Sequence, residues 1–145
     1  MKIRQMAVPD TIEVAAIEKN CFSRPWSRQA FRDAVNDNNA VFLVAEDGMH
    51  RILGYIGMYV SPPEGEITNV AVAEEFRGQG VGRTLVSAIR QWAKEHGLDR
   101  IVLEVRSSNQ AAIHVYHQEG FVKLGIRKGF YSFPCEDADI MEWTG

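Results

Sequence analysis

Hydrophobic and polar residues alternate along the chain in blocks that predict strands and helices in turn. Segment 2–8 is typical of a short strand, and Asp10 with Glu13 three residues later predicts a capping box at the start of a first helix. Pro25 disfavours helix at the residue before it, and Ser27 is placed to cap a second helix. The amino-terminal part is therefore predicted to be a strand followed by two helices.

In the central part of the chain, the hydrophobic positions first follow the strand-like period of two and then the period of a helix. Segment 40–60 holds two strand-like runs around a turn at Asp47 and Gly48, which is a hairpin signal. Segment 65–73 predicts a further strand. Segment 81–97 predicts a helix ended by a glycine, and its apolar face is formed by Val81, Leu85, Ala88, Ile89 and Trp92.

The carboxyl-terminal part continues with one more strand and one more helix. Segment 100–108 is a strand, and Asn109 can cap a helix over 110–119. Segments 121–131 and 138–143 then predict a closing hairpin.

The predicted order of elements is β-α-α-β-β-β-α-β-α-β-β. A strand, a helix and a strand follow one another across residues 66–105, so these two strands need a crossover and pair in parallel. The hairpins elsewhere pair antiparallel. The chain is therefore predicted to form one α/β domain over residues 1–145, with helices covering a mixed sheet.

Composition limits the classes of function. With 145 residues, 46% of them hydrophobic and 24% charged, the chain is typical of one globular domain. A net charge of −3 argues against broad nucleic-acid binding. Cys21 and Cys135 are isolated and are expected to be free thiols, and no segment resembles a signal peptide or a membrane span. These features predict a cytoplasmic protein that binds no membrane.

A glycine-rich stretch lies between a predicted strand and a predicted helix. Gly78, Gly80 and Gly82 match neither the P-loop spacing nor the dinucleotide spacing. A helix start still leaves unpaired N–H groups that suit an anion, and Arg77 and Arg83 would add mobile positive charge. The alternative is a tight connection without a ligand.

The spacing that does fit is R-x-x-G-x-G, at Arg77, Gly80 and Gly82. Segment 67–86, ITNVAVAEEFRGQGVGRTLV, resembles the central motif of the GNAT acetyltransferase superfamily. This resemblance implies a single-domain mixed twisted sheet of about seven strands flanked by about four helices. It also implies acetyl-coenzyme A as co-substrate and no metal. The resemblance places the pantetheine arm along a bulged strand and the pyrophosphate in the loop, with contacts from Val70, Ala71, Val72, Arg77, Gly78, Gln79, Gly80, Val81, Gly82 and Arg83.

Two side chains are candidates for proton transfer. Glu104 interrupts an apolar strand, and charged residues are rarely buried unless paired, so the alternative is an ion pair with Arg106 or another arginine. Tyr116 could equally be a core aromatic residue. Segment 103–121 resembles the RimI-type branch of the superfamily, the ribosomal-protein-alanine N-acetyltransferases. That resemblance implies Glu104 as general base, Tyr116 as general acid and Asn109 as a cofactor contact.

The acceptor is predicted from proton affinity and from two further stretches. An α-amine with a pKa near 8 costs about 3 kcal/mol less to neutralise than a lysine with a pKa near 10.4. Pro25 and Trp26 in CFSRPWS, and Tyr131 in IRKGFYSF, resemble the RimI-type substrate groove, with Phe130 replacing a tyrosine. These residues could instead only pack. The expected acceptor is the N-terminal peptide of an alanine-starting ribosomal protein; the alternatives are a lysine side chain, a small amine, or a non-catalytic acyl-coenzyme A module.

Overall fold

In the computed structural model, which describes residues 1–145, seven strands form one sheet. The strands are β1 (Lys2–Gln5), β2 (Ala40–Glu46), β3 (Ile52–Ser61), β4 (Glu64–Val72), β5 (Arg100–Arg106), β6 (Val122–Tyr131) and β7 (Glu136–Thr144). The helices are α1 (Thr11–Cys21), α2 (Arg28–Val35), α3 (Val81–Glu95) and α4 (Gln110–Gln118). The predicted order of elements is confirmed. No helix of this fold is both long and apolar enough to cross a membrane.

The order of strands across the sheet is β1-β2-β3-β4-β5-β7-β6. Only β4 and β5 pair in parallel, with Glu64 opposite Arg100 and Ile67 opposite Leu103. All other neighbours are antiparallel. The parallel pair is the one that α3 connects, so the predicted crossover is confirmed.

Strands β4 and β5 part in the middle of the sheet. Their pairing ends at Ile67 and Leu103, while β4 continues against β3 as far as Val72. The register between β3 and β4 shifts at Thr68, which is the extra residue of a bulge. The bulge that the family resemblance implies near Val70, Ala71 and Val72 thus lies two residues before Val70. Thr68 bulges because β4 loses its partner β5 there, and residues 70–72 already pair regularly with β3.

The apolar core has two parts, one on each face of the sheet. Helix α3 buries Leu85 and Ile89 against the sheet on one face. Val14 of α1 and Phe31 of α2 are buried on the other. The burial of each such side chain contributes about 1.5–3 kcal/mol to the stability of the fold. The two layers hold the strands rigidly around the point where β4 and β5 part.

The start of the first helix differs from the prediction. A single 3-10 turn, Val8–Asp10, precedes α1, and Asp10 itself has helical backbone angles. Its carboxylate therefore does not cap α1 but accepts from the Ala7 amide and from Arg4, both at 2.7 Å. Glu13 accepts from the Ile52 amide of β3 at 3.2 Å. The predicted capping box is wrong because both carboxylates have partners outside the helix.

The other two predicted caps are confirmed. The Ala30 amide donates to Ser27 Oγ at 3.1 Å, and the Ala112 amide donates to Asn109 Oδ1 at 3.2 Å. These bonds fix the starts of α2 and α4, the two helices that follow loops at the edge of the split in the sheet.

Candidate active site

A cleft of about 590 Å³ opens where β4 and β5 part. Its walls come from both strands, from α4, from the loop between α1 and α2, and from the β6–β7 hairpin. The cleft brings together six of the predicted site residues, Trp26, Val70, Glu104, Asn109, Tyr116 and Tyr131. Pro25, Ala71, Val72 and the glycine-rich loop do not line this cleft.

The glycine-rich loop presents a row of free backbone donors. Gly78 and Gly80 have φ angles of 78° and 81°, which favour glycine. The first helical bond of α3 runs from the Thr84 amide to the Gly80 carbonyl at 3.0 Å. The six successive amides of residues 78–83 donate to no acceptor in the protein. Together with the positive end of the helix dipole, they form an anion-binding surface.

The space around this loop fits a bulky anion. A Cβ atom added to Gly78 or Gly80 would meet nothing within 4 Å. One added to Gly82 would meet only Val72 Cγ2, at 3.6 Å. Packing within the protein therefore does not require glycine at position 82. A diphosphate held close to the backbone would require it, so the loop fits this part of coenzyme A.

The two arginines of the loop are held by protein groups rather than free at its rim. Arg77 donates from Nε to the Val72 carbonyl at 3.2 Å and from a terminal nitrogen to Cys21 Sγ at 3.1 Å. Arg83 donates from Nε to Glu119 at 3.0 Å. Both side chains therefore have protein partners in this structure, and the backbone amides make up the open part of the loop.

The end of β4 offers further backbone groups. The Val72 carbonyl accepts from Arg77, so it points away from β3. Backbone groups of a strand alternate in direction, so those of Val70 face the same open side. Ala71 is buried and opposite Tyr55 of β3. Of the three predicted strand residues, Val70 and Val72 thus have backbone groups toward the split.

Glu104 lies on β5 at the split, and its side chain is 21% exposed. Its Oε1 lies 3.5 Å from a terminal nitrogen of Arg127, on β6. The ion pair expected as the alternative is therefore present, with Arg127 as the other arginine. Arg106 is not the partner, because it pairs with Glu136 at 3.3 Å and donates to two carbonyls of the β6–β7 hairpin. The carboxylate of Glu104 therefore stays accessible from the cleft.

Tyr116 reaches the same cleft from α4. Its side chain is buried, with 6% of the residue exposed, and packs on Phe121 at 5.6 Å between ring centroids. Burial raises the pKa of the phenol above its ordinary value, and the hydroxyl of Tyr131 contributes in the same direction. Tyr116 is thus protonated at neutral pH and is able to donate its proton in the cleft.

Tyr131 joins the β6–β7 hairpin to β5. Its hydroxyl donates to the Glu104 carbonyl at 3.0 Å, and the Arg106 guanidinium lies 4.5 Å from its ring centroid. Burial, followed by the charge of Glu104, raises the pKa of Tyr131 to about 12. Tyr131 therefore both packs and lines the cleft.

Trp26 packs and lines the cleft as well. Its ring lies 5.2 Å from Phe31 and 5.8 Å from Phe42, between centroids. Beside it lies Glu18, a buried carboxylate of α1 that also lines the cleft. Glu18 is not among the site residues predicted from the sequence. The signal was present, because Glu18 follows Val14 by four residues and therefore lies on the buried face of that helix.

The model of the GNAT family of acetyltransferases matches residues 11–121. The chain belongs to the GNAT acetyltransferase family. The ribosomal protein bS18-alanine N-acetyltransferase of Escherichia coli (strain K12) is 31% identical over 127 residues, which cover 86% of this chain and 84% of that protein. A Bacillus subtilis (strain 168) relative, whose name assigns the same activity provisionally, is 37% identical over 140 residues, 96% of this chain and 92% of the relative.

The fold of this GNAT acetyltransferase also matches a solved structure. The crystal structure of the Escherichia coli ribosomal-protein-S18-alanine N-acetyltransferase superposes with a TM-score of 0.88 at 27% identity. The match covers 99% of this chain and 92% of that chain. The predicted fold and the RimI-type resemblance are confirmed, and GNAT acetyltransferases use acetyl-coenzyme A.

Proposed function

We propose that this enzyme transfers the acetyl group of acetyl-coenzyme A to the N-terminal α-amino group of an alanine-starting ribosomal protein. The names of the relatives support this acceptor. One observation carries the proposal. The carboxylate of Glu104 and the protonated phenol of Tyr116 line one cleft where β4 and β5 part. The free amides of residues 78–83 lie in the loop that follows β4.

The donor half of the binding site consists of the glycine-rich loop, the end of β4 and Asn109. Its residues hold and orient the thioester substrate. The free amides of residues 78–83 bind its diphosphate. The backbone groups of Val70 and Val72 pair with its pantetheine arm as a neighbouring strand would. Asn109, whose carbonyl oxygen caps α4, keeps its amide nitrogen for a contact with the same substrate.

The two proton-transfer groups then act on the acceptor and on the leaving sulfur. Glu104 accepts one proton of the α-ammonium group, directly or through water, which frees the amine to attack the thioester carbon. A C–N bond forms and the C–S bond breaks. Tyr116 gives its proton to the departing sulfur and is reprotonated by the second amine proton. One acetyl group moves from sulfur to nitrogen and one proton is released.

The acceptor half of the binding site, formed by the α1–α2 loop and the β6–β7 hairpin, has room for the end of a peptide chain. Trp26 from the α1–α2 loop and Tyr131 from the β6–β7 hairpin both line the cleft, which is partly open to solvent. An α-amine needs about 3 kcal/mol less than a lysine to become neutral, because its pKa is lower by about two units. A partly exposed carboxylate such as Glu104 is a sufficient base for this amine.

A panel of acceptors tests the proposal by the release of free thiol. The panel contains the N-terminal peptide of ribosomal protein bS18, the same peptide with a blocked N-terminus and an added lysine, and spermidine. We expect thiol release with the free peptide only, with the acetyl group on its α-nitrogen by mass spectrometry. Equal or greater rates with the blocked peptide or spermidine would reassign the acceptor. No release with any amine would instead indicate a binding module.

A further inference from the structure

A buried carboxylate outside the proton-transfer pair occupies the acceptor half of the cleft. Glu18 of α1 is only 3% exposed, and no lysine, arginine or histidine nitrogen lies within ion-pair distance of it. A buried charge is costly unless it is hydrogen-bonded. Both oxygens of Glu18 do have donors, and these donors indicate what the residue does.

The first donor comes from the sheet. The hydroxyl of Tyr55, on β3, donates to Oε1 at 2.6 Å, and both residues are buried. Burial, together with the charge of Glu18, holds the pKa of Tyr55 far above its ordinary value, so the phenol remains a donor. This bond fixes the carboxylate against β3, an interior strand of the sheet.

The second donor comes from the loop between α1 and α2. The backbone amide of Trp26 donates to Oε2 at 2.9 Å. Trp26 is the residue that carries the aromatic contacts with Phe31 and Phe42, and it lines the cleft. Pro25, just before it, has no amide proton to offer. The loop backbone is therefore tied to α1 and to the sheet through one side chain.

We propose that Glu18 is a positioning residue, whose carboxylate holds the Trp26 backbone and so fixes the wall against which the acceptor peptide lies. It acts through Trp26 and does not touch the reacting atoms. This inference rests on the proposed function, because a peptide acceptor uses this wall whereas the bound thioester lies along β4.

Three variants test the anchor, which is the hydrogen bond between the Glu18 carboxylate and the Trp26 amide. Tyr55→Phe removes the bond to the sheet and leaves the bond to Trp26. Glu18→Gln keeps a carbonyl that accepts from Trp26 and an amide that donates to the Tyr55 oxygen. The double variant Glu18→Leu with Tyr55→Phe removes the anchor without leaving an unpaired phenol in the core.

The first readout needs no acceptor. Hydrogen exchange of the Trp26 amide, followed by NMR on protein labelled with ¹⁵N-tryptophan, reports the anchor directly. We expect slow exchange in the wild type, Tyr55→Phe and Glu18→Gln, and exchange at least about tenfold faster in the double variant. Fast exchange of this amide in the wild type would overturn the anchor.

The second readout is steady-state kinetics with the peptide. In the double variant, we expect KM for the peptide to rise about tenfold while KM for acetyl-coenzyme A stays within about twofold. Both single variants should keep the peptide KM of the wild type within about twofold. An unchanged peptide KM in the double variant, or an equal rise in both KM values, would overturn the positioning role.

A backbone variant covers the case in which the double variant does not fold. Replacing Trp26 by its α-hydroxy acid through nonsense suppression turns the amide into an ester, which removes the donor and keeps every side chain. It should raise the peptide KM by a similar factor, and a wild-type KM would overturn the inference. If the wild type acetylated no peptide at all, the proposed function would fail, whereas the exchange experiment would still decide the anchor.

Discussion

The proposed substrate-binding site has two halves, which differ in the chemical groups that form them. The donor half consists mainly of backbone, namely six free amides at the start of α3 and the open edge of β4, and Asn109 is its one proposed side-chain contact. The acceptor half consists of side chains, which come from the α1–α2 loop and from the β6–β7 hairpin. Even the charged side chains of the glycine-rich loop are bound to protein groups. Only the acceptor half can therefore change its specificity through ordinary side-chain substitutions.

This difference explains how one fold serves many acceptors. A backbone site depends on glycines and on strand geometry, which belong to the fold itself. A side-chain site depends on the residues that the α1–α2 loop and the β6–β7 hairpin carry. The proton-transfer pair lies between the halves, on the rigid elements β5 and α4.

The largest effect is expected from the proton-transfer pair. Glu104→Gln and Tyr116→Phe should each lower kcat about 100-fold, because general acid–base catalysis contributes 10²–10⁴-fold. Calorimetry should show that the affinity for acetyl-coenzyme A is unchanged, since this substrate is held by backbone amides.

Tyr59→Phe is the matched control for the phenol, because Tyr59 packs near Trp26 and lies outside the cleft lining. It should keep kcat within about twofold of the wild type. Wild-type turnover in both Glu104→Gln and Tyr116→Phe would remove the assigned roles.

The donor half is tested by adding a methyl group. Gly82→Ala should raise the free energy of unfolding by up to about 1 kcal/mol, because alanine favours helix and its Cβ meets no close neighbour. With the diphosphate held against this backbone as proposed, the same Cβ would crowd it, so the affinity for acetyl-coenzyme A should fall about tenfold. Urea unfolding and calorimetry measure the two effects.

Gly97→Ala serves as the control at the other end of α3. Gly97 has a φ of 75°, so alanine is strained there and should destabilise the protein by about 1 kcal/mol. Its affinity for acetyl-coenzyme A should not change. If affinity followed stability in both variants, position 82 would have no direct contact with the substrate.

Alkaline pH tests the buried phenol of the proton-transfer pair independently of both halves. The pKa of Tyr116 is raised in the folded state, so above pH about 10 the unfolded chain loses a proton that the folded protein keeps. The free energy of unfolding should therefore fall as pH rises, by up to about 1.4 kcal/mol per pH unit for this residue.

Urea unfolding between pH 9 and pH about 11 measures this slope. Tyr116→Phe should make the slope less steep by the contribution of one phenol. Tyr55 and Tyr131 continue to contribute to the slope in this variant. Identical slopes in the wild type and the variant would mean that Tyr116 ionises equally in both states.

The sequence was sufficient for those features that repeat a local pattern. The order of elements, the parallel crossover and the caps at Ser27 and Asn109 follow from periodicity and from short-range hydrogen bonds. The glycine-rich loop was found because φ angles above zero at Gly78 and Gly80 demand that residue type.

The features that the sequence did not predict depend on partners far along the chain. Asp10 and Glu13 look like caps until Arg4 and the Ile52 amide compete for them. The bulge at Thr68 depends on where β5 leaves β4, which no local pattern records. The partner of Glu104 is on β6 rather than two residues away, because Arg106 is taken by the hairpin.

The smallest effect is expected at Arg127, the one cation beside the proposed base. Its side chain is 56% exposed and its pair with Glu104 is long, so the pair is worth less than about 1 kcal/mol. The acceptor reaches Glu104 as an ammonium group, which Arg127 repels. Arg127→Gln should therefore lower the peptide KM about twofold to threefold at low ionic strength, and the difference should vanish near 0.5 M salt, where the Debye length is only about 4 Å.

Lys123→Gln removes a cation from the same strand without touching the cleft, since Lys123 pairs with Asp139. It should leave the peptide KM unchanged at every salt concentration. A rise in the peptide KM of Arg127→Gln would reverse the interpretation, because Arg127 would then bind the peptide through an acceptor carbonyl or carboxylate. Such a result would add Arg127 to the side chains that form the acceptor half, alongside Tyr131 of the same strand.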